Sequence, residues 1–192
     1  LEVWRILLED SRSFFQSRAM AEFYRDGRDK RILELKPTDP QARIAQAYVL
    51  ALTPGRREEA MQIYRDELTH AETTYVRHHL LKLLLLMGER DEAEKQCKGW
   101  VDQSTPGNLN SDDLHQKLFE FVAGVRTSVE PESSYEQESF QINFIRALLA
   151  FSDGNYPKAK QFLEDCQQSR GQSTEHYWAR ALLTRWPEVS SR

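Results

Sequence analysis

The sequence predicts an all-α protein built from stacked antiparallel helix pairs. A glycine followed five residues later by an alanine recurs as Gly55–Ala60, Gly88–Ala93 and Gly154–Ala159. The second copy follows the first after 33 residues and the third follows after 66, which is two periods. Alternation of β-branched and polar residues, which is typical of strands, is absent over any useful window. A period of this length is typical of two-helix repeats.

Glycine, proline and polar clusters divide the chain into helical segments. The predicted helices are 2–24, 28–35, 40–53, 57–70, 74–87, 90–102, 111–127, 135–152, 156–168 and 174–185.

The first helix is amphipathic and rich in aromatic residues, with Trp4, Phe14, Phe15 and Phe23 along it. Gly27 separates it from the short second helix, and we expect the two to cap the N-terminal end over 1–36. One short terminal helix cannot bury so many aromatic rings by itself, which indicates a homo-oligomer formed through this helix.

Three repeats are clear, and we expect them, with the flanking segments, to form a single domain over 1–192. They cover 40–70, 73–103 and 135–169. In the first of them, helix 40–53 is apolar nearly all round, as expected of a helix between two neighbours.

The segment 104–130 reads as a degenerate pair. Counting 33 residues from Gly88 reaches Phe121, inside a predicted helix, so the slot is filled but the Gly–Ala signal is lost. A terminal helix within 173–186, stopped by Pro187, serves as the C-terminal cap.

Composition excludes several classes of function. The chain has 192 residues, 26 basic against 30 acidic residues and a net charge of −4, without the basic field that nucleic acid requires. Its longest apolar stretch, 80–87, contains Lys82 and is far shorter than a membrane span. Cys97 and Cys166 fall on apolar helix stripes, which favours buried thiols in the cytoplasm. The chain begins at Leu1, which indicates an excised domain or a processed product.

No residue pattern predicts catalysis, a metal or a cofactor. Glycine-rich nucleotide loops are missing. His78 and His79 are adjacent, so on a regular helix they point about 100° apart and cannot share one ion. Cys97 lies on an apolar stripe that predicts an inert thiol. We therefore expect a protein that is not an enzyme and that holds no cofactor.

The residues at the turns and helix starts of the repeats resemble those of the tetratricopeptide-repeat (TPR) family. The segment 33–40, Leu-Glu-Leu-Lys-Pro-Thr-Asp-Pro, is similar to the ending of that family's unit. Matching positions follow in three copies, at Gly55, Ala60 and Tyr64, at Gly88, Ala93 and Cys97, and at Gly154, Ala159 and Leu163. The resemblance implies an α-solenoid in which helix pairs wind into a right-handed superhelix.

The resemblance also implies a concave groove lined by the first helix of each pair. Matching the copies places six candidate partner-binding residues there: Tyr75, His78, Lys82, Gln141, Phe144 and Leu148. The first three combine aromatic, titratable and cationic groups, which suits an acidic peptide. The alternative for Phe144 and Leu148, with Phe151, is ordinary core packing.

These observations predict a non-enzymatic protein-interaction module, such as a scaffold or adaptor, that binds another protein or a segment of its own parent chain. Two alternatives remain open at this point. In the first, the chain is an accessory or regulatory repeat domain of a larger enzyme or of a transcriptional or signalling regulator. In the second, it is a self-associating assembly factor.

Overall fold

The computed structural model describes residues 40–71, 73–103, 114–131, 136–168 and 173–189. Across these ranges the regular secondary structure is helical throughout, which confirms the all-α prediction. The predicted N-terminal helices, with their aromatic residues, lie outside the described residues. So does the segment 104–113.

The helices agree with the predicted positions for most of the chain. They are α1 (Pro40–Leu52), α2 (Arg57–Leu68), α3 (Thr74–Leu86), α4 (Arg90–Asp102), α5 (Leu114–Val122), α6 (Glu136–Ser152), α7 (Tyr156–Gln168), α8 (Thr174–Thr184) and the single turn α9 (Trp186–Val189). Pro187 lies in the first turn of α9 and does not simply end the chain's last helix, because a proline there leaves no hydrogen bond unmade.

Helices α1 and α3 form the interior of the stack. Every residue from 44 to 52 in α1 is buried, as the apolar composition of this segment predicts. In α3 every residue from 78 to 86 is buried, including two histidines and a lysine. Helix α3 packs against α1, α2, α4, α5 and α6, so it is enclosed on all sides.

The second helix of each clear pair buries only a narrow stripe, which begins with the repeated alanine. Ala60, Ala93 and Ala159 have no exposed surface on α2, α4 and α7. A methyl side chain at this point lets the second helix approach the first closely. The Gly–Ala pattern therefore marks a turn and the helix crossing that follows it.

Three of the turns use the same backbone device to end a helix. Gly88, Gly124 and Gly154 have φ values of +77°, +74° and +72°. In each case the next residue's amide donates to the carbonyl five positions back, as from Glu89 to Leu84 at 3.0 Å. This Schellman arrangement requires the left-handed conformation that glycine adopts without strain.

Gly124 corrects the sequence-based view of the degenerate pair. We expected a helix continuing to residue 127, whereas α5 ends at Val122 and Gly124 closes it. The turn glycine is thus present, 36 residues after Gly88 and not 33. That displacement hid it from a search with a fixed period.

The helix contacts follow the order of the predicted repeats only in part. Helix α1 packs on α3, the first helix of the next pair, and α3 packs on both α5 and α6. Helix α8, however, also reaches back across the row. Trp178 meets the Tyr48 ring of α1 edge to face at 5.1 Å, and Glu175 pairs with Lys82 of α3. In an open solenoid each repeat contacts only its neighbours.

We expect two glycine substitutions to change stability in opposite directions. A methyl group added at Gly88 or at Gly99 meets no atom within 4 Å, so only backbone conformation differs between the two positions. Gly88→Ala should lower the free energy of unfolding by about 1 kcal/mol, because an L residue is strained at positive φ. Gly99→Ala, within α4, should raise it by about 0.5–1 kcal/mol.

Urea unfolding of the two variants beside wild type measures both effects. Equal changes of the same sign would contradict the role given to the turn glycine.

Candidate functional site

The predicted partner-binding strip on α3 lies mostly in the interior. Tyr75 is 37% exposed, whereas His78 and Lys82 keep only 1% and 2% of their surface. Helix α8 covers this region and touches all three first helices, through contacts with α1, α3 and α6. An open groove along His78 and Lys82 is therefore not what the described residues form. The cause is that the C-terminal helix of the chain itself occupies that face.

Lys82 and Glu175 form a buried ion pair. The Lys82 Nζ lies 2.8 Å from Glu175 Oε1, and both side chains are almost fully enclosed. Burial raises the pKa of the Glu175 carboxyl, but the Lys82 ammonium and the Ser173 hydroxyl stabilise the charged form, and the net pKa lies below its ordinary value. Ser173 also caps α8 by accepting a hydrogen bond from the His176 amide at 3.2 Å. The first turn of α8 is thus organised around this carboxylate.

Two buried histidines accompany the ion pair. The Tyr48 hydroxyl donates to the His79 carbonyl oxygen at 2.6 Å, and the Tyr75 ring meets the His79 ring edge to face at 4.5 Å. The His78 ring lies 4.6 Å from that of His115. Burial, and then the positive charge of Lys82, lower the pKa of both His78 and His79 well below the ordinary value. Both rings are neutral at physiological pH.

The candidates on α6 are also largely internal. Phe144 and Leu148 are buried in the main hydrophobic cluster, as the core-packing alternative has it. Gln141 is half-buried, and its Oε1 has no hydrogen-bond partner among the described residues. Partner binding at the six sequence-derived positions stays a prediction, and only Tyr75 among them is exposed.

The two thiols are enclosed and protonated. Burial raises the pKa of Cys166 to about 12 and carries that of Cys97 still higher. A thiol in this state is a poor nucleophile.

A surface cleft of about 440 Å³ lies where α4, α5, α6 and α7 meet. We call it the α4–α7 cleft. Its charged lining residues are Arg90, Arg146, Asp153 and Lys158. Its apolar lining residues are Phe121, Leu149, Ala150 and Phe162, and Asn155 completes it. The volume falls within the range of ligand-binding pockets, roughly 300–1,000 Å³.

Arg90 is held against the rim of the cleft by two carboxylates. Its Nε lies 2.8 Å from Glu94 Oε1, and its Nη1 lies 3.3 Å from Asp153 Oδ1. Arg90 is the first residue of α4 and Asp153 directly follows α6, so the pair joins the ends of two helices.

Arg146 and Lys158 supply the other cations. The Arg146 Nη2 donates to the Val129 carbonyl at 2.8 Å and to Glu130 Oε1 at 3.0 Å. Lys158 Nζ lies 5.8 Å from the centre of the Phe162 ring. Within the described part of the chain, no acidic side chain forms an ion pair with Lys158. This ammonium is consequently available to a ligand.

Sequence reasoning did not find this cleft, because its residues come from separate segments that only the fold brings together. One local signal was present. Lys158 stands in the first turn of α7, where no acidic residue occurs and where the helix dipole disfavours a cation. A lysine in such a position is a candidate for a role other than local stability.

The described ranges hold no candidate metal site and no candidate membrane span. In 40–71, 73–103, 114–131, 136–168 and 173–189, no cluster of three or more His, Cys, Asp or Glu residues is arranged to hold an ion. Across the same ranges, none of the helices combines the length and the apolarity needed to cross a bilayer.

Comparison with known proteins gave no relative: no family model, no curated protein and no solved structure matches the chain. The resemblance to the TPR family therefore stays a prediction.

We expect the Lys82–Glu175 pair to show strong thermodynamic coupling. Lys82→Met should lower the free energy of unfolding by about 3–5 kcal/mol, because it leaves a buried carboxylate without its counter-ion. Glu175→Leu should be similarly damaging. The double variant should unfold at nearly the wild-type urea concentration, since two apolar side chains then replace two charges.

A double-mutant cycle from urea unfolding curves measures this coupling. Additive losses in the double variant would show that the pair contributes nothing beyond its separate side chains.

We expect stability to fall in mild acid. The folded chain resists protonation of His78 and His79, whereas the unfolded chain protonates them near pH 6.5. Below that pH the unfolded state binds more protons, so each histidine costs up to about 1.4 kcal/mol per pH unit. The carboxyl of Glu175 begins to contribute only below its ordinary pKa of 4.5, where its stabilisation is lost.

Urea unfolding between about pH 5.5 and about pH 7.5 tests this dependence. His78→Gln should roughly halve the loss of stability across this range, because one of the two buried rings is removed. The exposed His70, between α2 and α3, provides a control variant, His70→Gln, which removes a histidine from outside the core. A flat profile in wild type would contradict the prediction.

Proposed function

We propose that the chain is a non-enzymatic protein-interaction module, a scaffold or adaptor that binds a segment of another protein or of its own parent chain at the α4–α7 cleft. The observation that carries this proposal is the cleft itself, which combines aromatic and cationic lining in a volume of about 440 Å³. Charged and polar side chains beside apolar ones allow a site to orient a ligand as well as to bury part of it.

The stiffness of the cleft walls supports this function. Four helices contribute lining residues. The arginine on each wall is already held by carboxylates or by a carbonyl. A site whose backbone is fixed by packed helices before binding loses little entropy when a partner docks, so most of the ordering cost falls on the partner.

The state of the reactive side chains supports a role without catalysis. The two thiols and the two histidines with the largest burial lie within the stack, and none of these four residues lines the cleft. Because these four side chains are buried away from the cleft, a ligand bound there would not reach them, which favours a packing role.

Two finer features belong to the same proposal. The recurrent Gly–Ala turns and the packing of α1 on α3 support a TPR-like helical repeat as the scaffold. Cys97 and Cys166 as free, buried thiols favour a cytoplasmic location.

Site-specific photo-crosslinking tests the proposal. Asp153 borders the cleft and is exposed, so p-benzoylphenylalanine placed there should capture a discrete partner in cells that normally contain the protein. Glu58 on α2 is also exposed and lies outside the lining, and the same group placed there should not capture that partner.

Circular dichroism of both variants checks that they are folded. Identical products from the two positions, or no product from position 153, would reject the cleft as the binding surface.

A further inference from the structure

The charged lining of the α4–α7 cleft favours one sign of ligand. Three cations, Arg90, Arg146 and Lys158, face the cleft against the single anion Asp153. Two further carboxylates, Glu94 and Glu130, pair with the arginines from outside the lining, so these six charged groups sum to zero. The balance therefore depends on how firmly each cation is engaged.

A ligand can compete with the carboxylates that pair with Arg90 and Arg146. The Asp153 and Glu130 side chains are 55% and 70% exposed, so water screens both contacts. Exposed ion pairs of this type contribute little to stability. A ligand carboxylate that enters the cleft can therefore share either guanidinium at little cost, because arginine has five N–H donors.

Lys158 gives the cleft its preference for a negatively charged ligand. It is exposed and forms no ion pair with any residue that the structure describes, and its ammonium stands near the Phe162 ring. A negative group placed there gains a charge partner without displacing one. A positive group would be repelled by Lys158 and by both arginines.

The floor of the cleft selects for an apolar side chain beside that negative group. Phe121 and Phe162 are half-buried, and Leu149 and Ala150 below them are buried. Covering the exposed parts of Phe121 and Phe162 with an aliphatic or aromatic side chain removes apolar surface from water, which favours binding by about 25 cal/mol per Å². The cleft holds a short segment and not a whole folded surface.

We propose that the partner segment is an acidic peptide in which Asp or Glu residues flank a large apolar side chain, with a carboxylate on Lys158 and the apolar group on Phe121 and Phe162. This inference rests on the proposed function, and it adds the chemistry of the partner.

Peptide selection on the purified chain tests the inference. A naive phage library of short random peptides is selected on the wild-type protein, and enriched peptides are synthesised. Backbone amide shifts in a heteronuclear NMR spectrum then show which peptides bind at the cleft, through residues such as Phe121, Asn155 and Phe162. Affinities are measured by fluorescence anisotropy.

Two charge reversals on one helix make a matched comparison. Lys158 lines the cleft, whereas Lys160 is exposed on the same helix outside it. Lys158→Glu should weaken cleft-binding peptides at least about tenfold, and Lys160→Glu should change affinity by less than about twofold. Glutamate in the first turn of α7 agrees with the helix dipole, so Lys158→Glu is expected to fold.

Each outcome decides a different point. Acid-rich peptides with an apolar residue that bind at the cleft and are lost with Lys158→Glu support the inference. Cleft-binding peptides with no excess of acidic residues, indifferent to Lys158→Glu, overturn the inference and leave the proposed function standing. If no enriched peptide shifts the cleft amides, both the inference and the cleft as the binding surface are rejected.

Discussion

The arrangement of the helices in this protein depends on a buried charge, the Lys82 ammonium, that requires a charged partner. Lys82 lies in the middle of α3, the helix that packs against five others, and its ammonium has almost no contact with water. Burying a charge without a partner costs far more than most single interactions contribute. The carboxylate that answers it comes from a residue 93 positions further along the chain. Helix α8 supplies that carboxylate and, with apolar side chains such as Trp178, covers the inner face of the stack.

Because the inner face is closed, the buried polar groups on it are distinct from the surface that can bind a partner, and sequence reasoning did not distinguish the two. Titratable groups that looked suitable for an external ligand, such as His78 and Lys82, are engaged in holding the chain's own helices together. The α4–α7 cleft has the opposite character, because its ion pairs are near water and exchangeable. We therefore expect a partner to bind at residues whose contacts within the chain are weak.

Local sequence signals predicted the helices, whereas the candidate site is formed by non-local contacts that no local signal predicts. Turn glycines and buried alanines act within one helix pair, so the Gly–Ala spacing predicted α2, α4 and α7 correctly. The end of α5 was missed because Gly124 is out of register with the repeat by three residues. The pairing of Lys82 with Glu175 and that of Arg90 with Asp153 join distant segments, and no pattern along the chain carries that information.

The return of α8 to α1 through Trp178 and Tyr48 bears on how the molecule unfolds. Open repeat arrays fray from their ends, because a terminal unit loses contact with one neighbour only. Here the last long helix touches the first described one, so loosening either also uncovers the middle of the row. Such a chain is expected to melt as one cooperative unit. Its folding must also wait for a contact between distant segments, which slows the search for the native state.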